Sequence, residues 1–340
     1  MRLTPALLLF VAACSSSSST DAPPLPTGGG TNPPPATPPG EAPPPAPNPI
    51  TGTERCTVAD LEAAGTGLFV EVTRIRVGDD GAVYMLWNDK VHRYTVSTSG
   101  ACTLTPDPAF GTGGSFGGFV DSFDLGPPGK ITVSTFDGIE VHDRTTGAMT
   151  YACADMNGTV ARIGVSADGT TAYVLGSTDP AKSKTYVLGA SSCTSAKPFA
   201  PATPWASNDT GYAESVLVTS DSIVVGAQEA VLVYGFDGSL KRTFGKSQTP
   251  QDWKSTGIAY GNDALVSAAG TDVVDTNEPG IHRFDATGAF VKWWSITDLT
   301  GEADNGTIGP HPLAIATAPT GERWLVTEAK TQELWRMPAF

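Results

Sequence analysis

"TERCTVA" (residues 53–59) follows a proline-rich run and precedes every segment that reads as folded. Its Cys-Thr pair returns inside the chain, in "GACTLTPD" (100–107) and "SSCTSAK" (191–197). Each later copy opens the last strand of a repeated unit. A copy ahead of all units therefore needs a unit elsewhere that lacks its last strand. The chain end supplies one: "ELWRMPAF" (333–340) reads as a third strand with no fourth.

The repeated unit has an apolar strand, a turn rich in Gly, Asp and Pro, a second strand, a loop, a third strand, a Gly turn and a fourth strand. Six segments carry the first two strands: "VTRIRVGDDGAVYML" (72–86), "VDSFDLGPPGKITVS" (120–134), "VARIGVSADGTTAYVL" (160–175), "ESVLVTSDSIVVG" (214–226), "TGIAYGNDALVSA" (256–268) and "PLAIATAPTGERWLV" (312–326). Five carry a complete third and fourth: "VHRYTVSTSGACTLT" (91–105), "IEVHDRTTGAMTYAC" (139–153), "TYVLGASSCTSA" (185–196), "VLVYGFDGSLKRTFG" (231–245) and "GIHRFDATGAFVKWW" (280–294). Asp-Gly and Thr-Gly pairs supply the positive φ angles that tight hairpins need. Apolar β-branched runs supply the strands. The count predicts an all-β fold over 53–340: a six-bladed β-propeller closed by an N-terminal strand, which hides its sheet edges.

Two blades point to a family. "VLVYGFDGSLKRTFGKSQTP" (231–250) and "GIHRFDATGAFVKWW" (280–294) resemble NHL-repeat units, which run a strand, a Phe-Asp-x-x-Gly turn and a Lys/Arg-rich strand ending Phe-Gly. "GAVYMLWNDKVHRYTV" (81–96) is similar to the second and third strands of that unit. No blade carries the Trp-Asp of WD40 repeats. The resemblance implies a fold and leaves chemistry open.

The chain begins "MRLTPALLLFVAAC": a positive start, then a short apolar run ending in small residues. That run is far shorter than the ~20 residues a bilayer needs, so residues 1–13 read as a secretory signal. Val11-Ala12-Ala13-Cys14 resembles the bacterial lipobox, which implies cleavage before Cys14 and acylation of its thiol. Similarity to Gram-negative lipoproteins implies an outer-membrane anchor, with the rest of the chain periplasmic or at the cell surface. Residues 14–52 are the lipidated Cys and a Ser/Pro/Gly-rich tether; 13 of the 30 residues 21–50 are Pro. Such a segment buries no core and is expected to be disordered polyproline II, reaching on the order of 100 Å at ~3.1 Å per residue.

The 340 residues carry a net charge of −14, which repels a phosphate backbone and excludes a nucleic-acid partner. A monomer is expected. Cys56, Cys102, Cys153 and Cys193 form an even set in an oxidising compartment, which reads as two disulfides. Blade geometry argues the other way. Outer strands of flat, radial blades stand ~20 Å apart, whereas a disulfide needs Cα atoms within ~7 Å. Buried free thiols are therefore expected.

Loops before the first strands and between the second and third share one face, and here they are long: 105–120, 197–213, 246–255, 269–279 and 295–311. Long loops on a rigid scaffold carry function. They hold Phe110, Phe116, Trp205, Tyr212 and Trp253 among many carboxylates. The candidate ligand-binding residues are Trp205, Trp253, Asp121, Glu214 and His311. "DVVDTNEPG" (272–280) and "DLTGEADNG" (298–306) cluster oxygen donors, Asp272, Asp275, Glu278, Asp298 and Asp304, of the kind calcium prefers. Neither has the spacing of a known calcium loop, so no cofactor is assigned and calcium stands as the alternative. His92 and His282 occupy equivalent third-strand positions, which points to a structural role over metal ligation.

No G-x-S-x-G stands at a strand-to-helix elbow, no P-loop or dinucleotide fingerprint is present, and no catalytic residue is assigned. The reading that follows is a binding scaffold for a protein, peptide or glycan. The competing reading is a metal-dependent hydrolase resembling six-bladed lactonases, which hold a divalent metal in the central channel; Glu71, Asp121, Glu214 and His311 lie near the starts of inner strands, placed to face it.

Overall fold

The computed structural model describes residues 50–64, 72–126, 128–154, 160–201, 205, 212–227, 230–245, 264–267, 270–275, 280–301, 311–328 and 332–339. Residues 1–49, which carry the expected signal, Cys14 and nearly all of the expected tether, lie outside them. The chain is all-β, as expected. Strand β1 (Glu54–Val58) runs into a short helix α1 (Ala59–Ala64). Then come β2 (Arg74–Val77), β3 (Val83–Trp87), β4 (Lys90–Val96), β5 (Thr103–Pro106) and the two-residue β6 (Ser115–Phe116).

Four antiparallel four-stranded sheets follow. The first is β7 (Val120–Leu125), β8 (Lys130–Thr135), β9 (Gly138–Asp143) and β10 (Met149–Ala154). The second is β11 (Ala161–Val165), β12 (Thr171–Gly176), β13 (Lys184–Leu188) and β14 (Cys193–Pro198). The third is β15 (Ala213–Val218), β16 (Ile223–Ala227), β17 (Ala230–Tyr234) and β18 (Leu240–Gly245). The fourth is β19 (Ala264–Ser267), β20 (Gly270–Asp275), β21 (Gly280–Phe284) and β22 (Phe290–Ser295), followed by α2 (Ile296–Thr300). The chain ends in β23 (His311–Thr317), β24 (Arg323–Glu328) and β25 (Gln332–Met337). No helix among the described residues is long and apolar enough to cross a membrane.

β1 pairs antiparallel with β25, Glu54 opposite Arg336 and Cys56 opposite Leu334, as the opening stretch predicts. It also pairs parallel with β5, Thr57 opposite Thr103 and Val58 opposite Leu104. The result is one nine-stranded sheet in the order β2-β3-β4-β5-β1-β25-β24-β23, with β6 beside β4. Between sheets, first strands lie on one another: β2 on β7, β7 on β11, β11 on β15, β15 on β19, β19 on β23, and β23 back on β2. The apolar faces between adjoining sheets make the core. At the seam it holds Cys56, Val58, Leu61, Leu104, Trp324 and Leu334.

The thiol expectation is overturned. Cys56 is bonded to Cys102 with Cα atoms 4.5 Å apart, and Cys153 to Cys193 with Cα atoms 6.0 Å apart. Flat spokes were the error. Neighbouring strands rotate by ~20–25°, so a four-stranded sheet turns its outer strand far from the direction of its inner one. The start of one outer strand then reaches its neighbour: β10 touches β14, and β1 is hydrogen-bonded to β5.

The fourth sheet is also shifted. "DALVSA" was expected as a second strand and 269–279 as a loop. Instead β19 pairs with β20, Ser267 opposite Gly270, and β20 pairs with β21. The Val273-Val274 pair carries strand propensity that the flanking aspartates mask in the sequence. "TGIAY" lies outside the described residues.

Candidate functional site

Three arginines join the first strands of different sheets. Arg74 of β2, 3% exposed, donates from Nη1 to Ser122 Oγ at 3.0 Å and from Nη2 to the carbonyls of Ile163 (3.0 Å) and Val216 (2.8 Å). One guanidinium thus holds β7, β11 and β15 together. Towards the hairpin face, Arg76 pairs with Asp124 at 3.0 Å, and Asp124 accepts from the Val165 amide at 2.9 Å. Towards the long-loop face stands Arg162 of β11. Its Nε donates to the Glu214 carbonyl at 2.8 Å, its Nη2 to Glu214 Oε2 at 3.4 Å, and its Nη1 to the Asp121 carbonyl at 3.5 Å. Two of the expected site residues, Asp121 and Glu214, are thereby brought together on Arg162.

Both sit at β-bulges. The β7–β8 register shifts between Val120 and Ser122, and the β15–β16 register between Ala213 and Ser215, so Asp121 and Glu214 are the extra residues. A bulge re-aims a side chain and recurs beside functional sites. Asp121 Oδ2 is buried and meets no hydrogen-bond donor. Burial pushes the Asp121 carboxyl up to about 6; the Arg162 guanidinium and the Ala161 amide pull down against it, and Asp89 adds a push. Burial also raises Glu214, opposed by Arg162.

Four large apolar side chains are exposed at strand ends: Phe119 (78% exposed), Val160 (46%) and Tyr212 (47%) immediately before β7, β11 and β15, and Phe136 (55%) in the β8–β9 turn. Three of them precede Asp121, Arg162 and Glu214 by two residues, in "FVD", "VAR" and "YAE" (119–121, 160–162, 212–214). Phe119 has φ of 67°, a left-handed conformation that a bulky side chain rarely adopts. The other exposed large apolar residues are Met149, Val187, Phe236 and Val291.

The other expected residues lie elsewhere. Trp205 is fully buried, its indole N–H shared by the Gly176 and Ser177 carbonyls at 3.2 Å, so it offers no binding surface. Phe110 and Phe116 are likewise buried against each other. Asp298 caps α2, accepting from the Ser295 amide and hydroxyl, which explains that carboxylate without calcium. Asp272 and Asp275 are in β20, not in a loop, and His311 opens β23. Glu71, Trp253, Glu278 and Asp304 lie outside the described residues. No group of three or more His, Cys, Asp or Glu able to hold a metal occurs among the described residues. His92 stacks on Trp87 at 4.1 Å, and burial pushes its imidazole down to about 4, keeping it neutral.

A recess of about 630 Å3 opens on the opposite, hairpin face at the seam. Its arginines are engaged: Arg93 with Asp80 and Asp107, Arg336 with Glu54. It reads as a consequence of closing the seam. Sequence reasoning missed Arg162, Phe119 and Val160; the recurring apolar-x-charged triplet at first-strand starts was the available signal. Neither a family model nor a curated protein matches the chain.

A first prediction follows from Asp121. Its carboxyl titrates near 6 in the folded chain and near 4 unfolded. The folded state therefore binds more protons between those values, and stability falls as pH rises through that window. Asp121→Asn should remove this slope and raise stability at about pH 7.5 by on the order of 1 kcal/mol, allowing for partial solvent screening. Urea midpoints across the range check it; a less stable variant at neutral pH contradicts a strained carboxylate.

Proposed function

We propose that residues 53–340 form a six-bladed, NHL-like propeller, lipid-anchored through Cys14, that acts as a binding scaffold through its long-loop face. What carries the functional reading is the exposure of Phe119, Phe136, Val160 and Tyr212 at the strand ends that also bear Asp121, Arg162 and Glu214. Exposed apolar groups rimmed by polar ones mark interaction sites. Four four-stranded sheets, a nine-stranded sheet and the succession of first strands support the blade count. The hydrolase reading fares worse. Where it needs a divalent metal, among the first strands, Arg74 already places a cation, and Arg162 sits between the two carboxylates.

Photo-crosslinking residues placed singly at Phe119, Phe136 and, on the hairpin face, Thr98 test this in the full membrane-bound chain. Adducts from the first two and none from the third are expected. Equal yields on both faces, or none, contradict the assignment. The anchor is tested separately: Cys14→Ser should move the protein out of the membrane fraction or leave it as an uncleaved precursor. A mature terminus other than Cys14 removes the lipobox reading.

A further inference from the structure

The two disulfides stand in different surroundings. Cys56 and Cys102 are each 1% exposed and belong to the seam core. Cys153 and Cys193 are half-buried, packed against the cluster that holds Ile139 and Ile163. Exposed residues flank them in the chain: Ala152 beside Cys153, and Ser191, Ser192 and Thr194 around Cys193.

The strands that carry them are held differently too. β1 has a ladder on each side, to β25 and to β5. β10 and β14 are end strands of their sheets, each with its ladder on one side, to β9 and to β13. The Cys153–Cys193 bond ties these two end strands across, and near it the Tyr151 hydroxyl donates to the Gly189 carbonyl at 2.7 Å in exposed surroundings. Further in, the same two sheets are joined without the bond. β7 lies on β11, the Ser134 hydroxyl donates to the Ala161 carbonyl at 3.2 Å, and the Val165 amide donates to Asp124 at 2.9 Å.

A disulfide opens when a thiolate reaches one of its sulfurs, so access sets the rate. For Cys56–Cys102, access requires opening the seam, with two ladders and its core. For Cys153–Cys193, it requires no more than the fraying of an end strand, which lies at the low end of opening free energies.

We propose that Cys153–Cys193 is a redox latch: a dithiol reductant opens it in the folded protein and frees β10 from β14, while Cys56–Cys102 stays closed and the sheets stay assembled. One thiolate of the dithiol attacks a sulfur of the bridge; the protein S–S bond breaks as a mixed disulfide forms. The second thiolate then displaces the protein sulfur. The dithiol leaves as its own disulfide, and its two electrons stay with the protein on two cysteine sulfurs, which take up two protons to become thiols.

The test uses the full chain in dithiothreitol at mildly alkaline pH, well below the melting temperature. Timed samples are alkylated with a light label. Unfolding, full reduction and a heavy label then mark the remaining thiols, so that peptide masses read each cysteine. Cys153 and Cys193 should take the light label together, at least about tenfold faster than Cys56 and Cys102. Hydrogen exchange at that stage should have quickened in β10 and β14 and be unchanged in β1, β5 and β25. The Cys153→Ala, Cys193→Ala double variant should show the same exchange pattern without reductant; should it fail to fold, labelling of the parent chain decides. All four cysteines labelled at one rate, Cys56 and Cys102 labelled first, or no labelling until the protein melts overturns the latch. So does reduction at Cys153 and Cys193 that quickens exchange in every sheet, since the bond would then hold the fold and not an edge.

Discussion

Deleting residues 15–45 should leave the melting temperature unchanged, whereas extending the deletion to residue 60 should abolish folding. The second deletion removes β1, and β1 is held on both sides. Its backbone ladders run to β25 and to β5. Its side chains Cys56 and Val58, with Leu61 of α1, are buried in the seam. Without it, β25 and β5 are open edges, and each orphaned ladder bond costs ~1 kcal/mol or more. The Cys56–Cys102 bond adds a covalent term. It closes a loop with a sequence separation of 46, for which chain entropy gives about 4 kcal/mol. The sum rivals a domain's whole stability of ~5–15 kcal/mol. Cys56→Ser alone, which keeps the ladders, should lower the melting temperature by roughly 5–10 °C. Equal melting of both truncations would mean that β1 does not close the sheet.

How much of this was legible in the sequence depends on the range of the interaction. Local signals worked: Asp-Gly and Thr-Gly turns and β-branched runs gave nearly every described strand. Counting units gave the one long-range pairing, β1 with β25, because an unpaired third strand demands a partner wherever it lies. What failed was geometry that accumulates. The disulfides were misjudged because strand twist, a few tens of degrees per step, is invisible in a linear pattern. Trp205 was misplaced because an aromatic between strands looks the same in the sequence whether it faces a ligand or is buried; its burial and the carbonyls that accept from its indole distinguish them. Asp121 and Glu214 were found from their position at strand starts. The bulges that turn them, and Arg162 that joins them, depend on register between strands that the sequence does not print.

Arg74→Met should be the most damaging single substitution among the residues that join the first strands. Replacing a buried ion pair by apolar groups is often nearly neutral, because both partners can be removed together. That escape does not exist here. Two of the Arg74 acceptors are the backbone carbonyls of Ile163 and Val216, which no substitution removes. The third, Ser122 Oγ, also accepts from the Ile163 amide at 3.3 Å. Methionine keeps the apolar stem and withdraws every donor. The carbonyls are then buried without a partner at ~1–3 kcal/mol each, or take in water where a guanidinium had bridged three strands. A loss of about 3–5 kcal/mol is expected. Arg74→Lys should fall between, since one ammonium on a flexible stem cannot reproduce a planar fork that reaches three acceptors at once. The location of the damage separates this variant from the seam variants. Hydrogen exchange in Arg74→Met should quicken together in β7, β11 and β15, the strands that share the guanidinium, while β25 and β5 keep their protection; Cys56→Ser should do the reverse. If Arg74→Met melts with the parent protein, or loosens the seam first, the first strands are held by their apolar faces and the Arg74 guanidinium is a passenger.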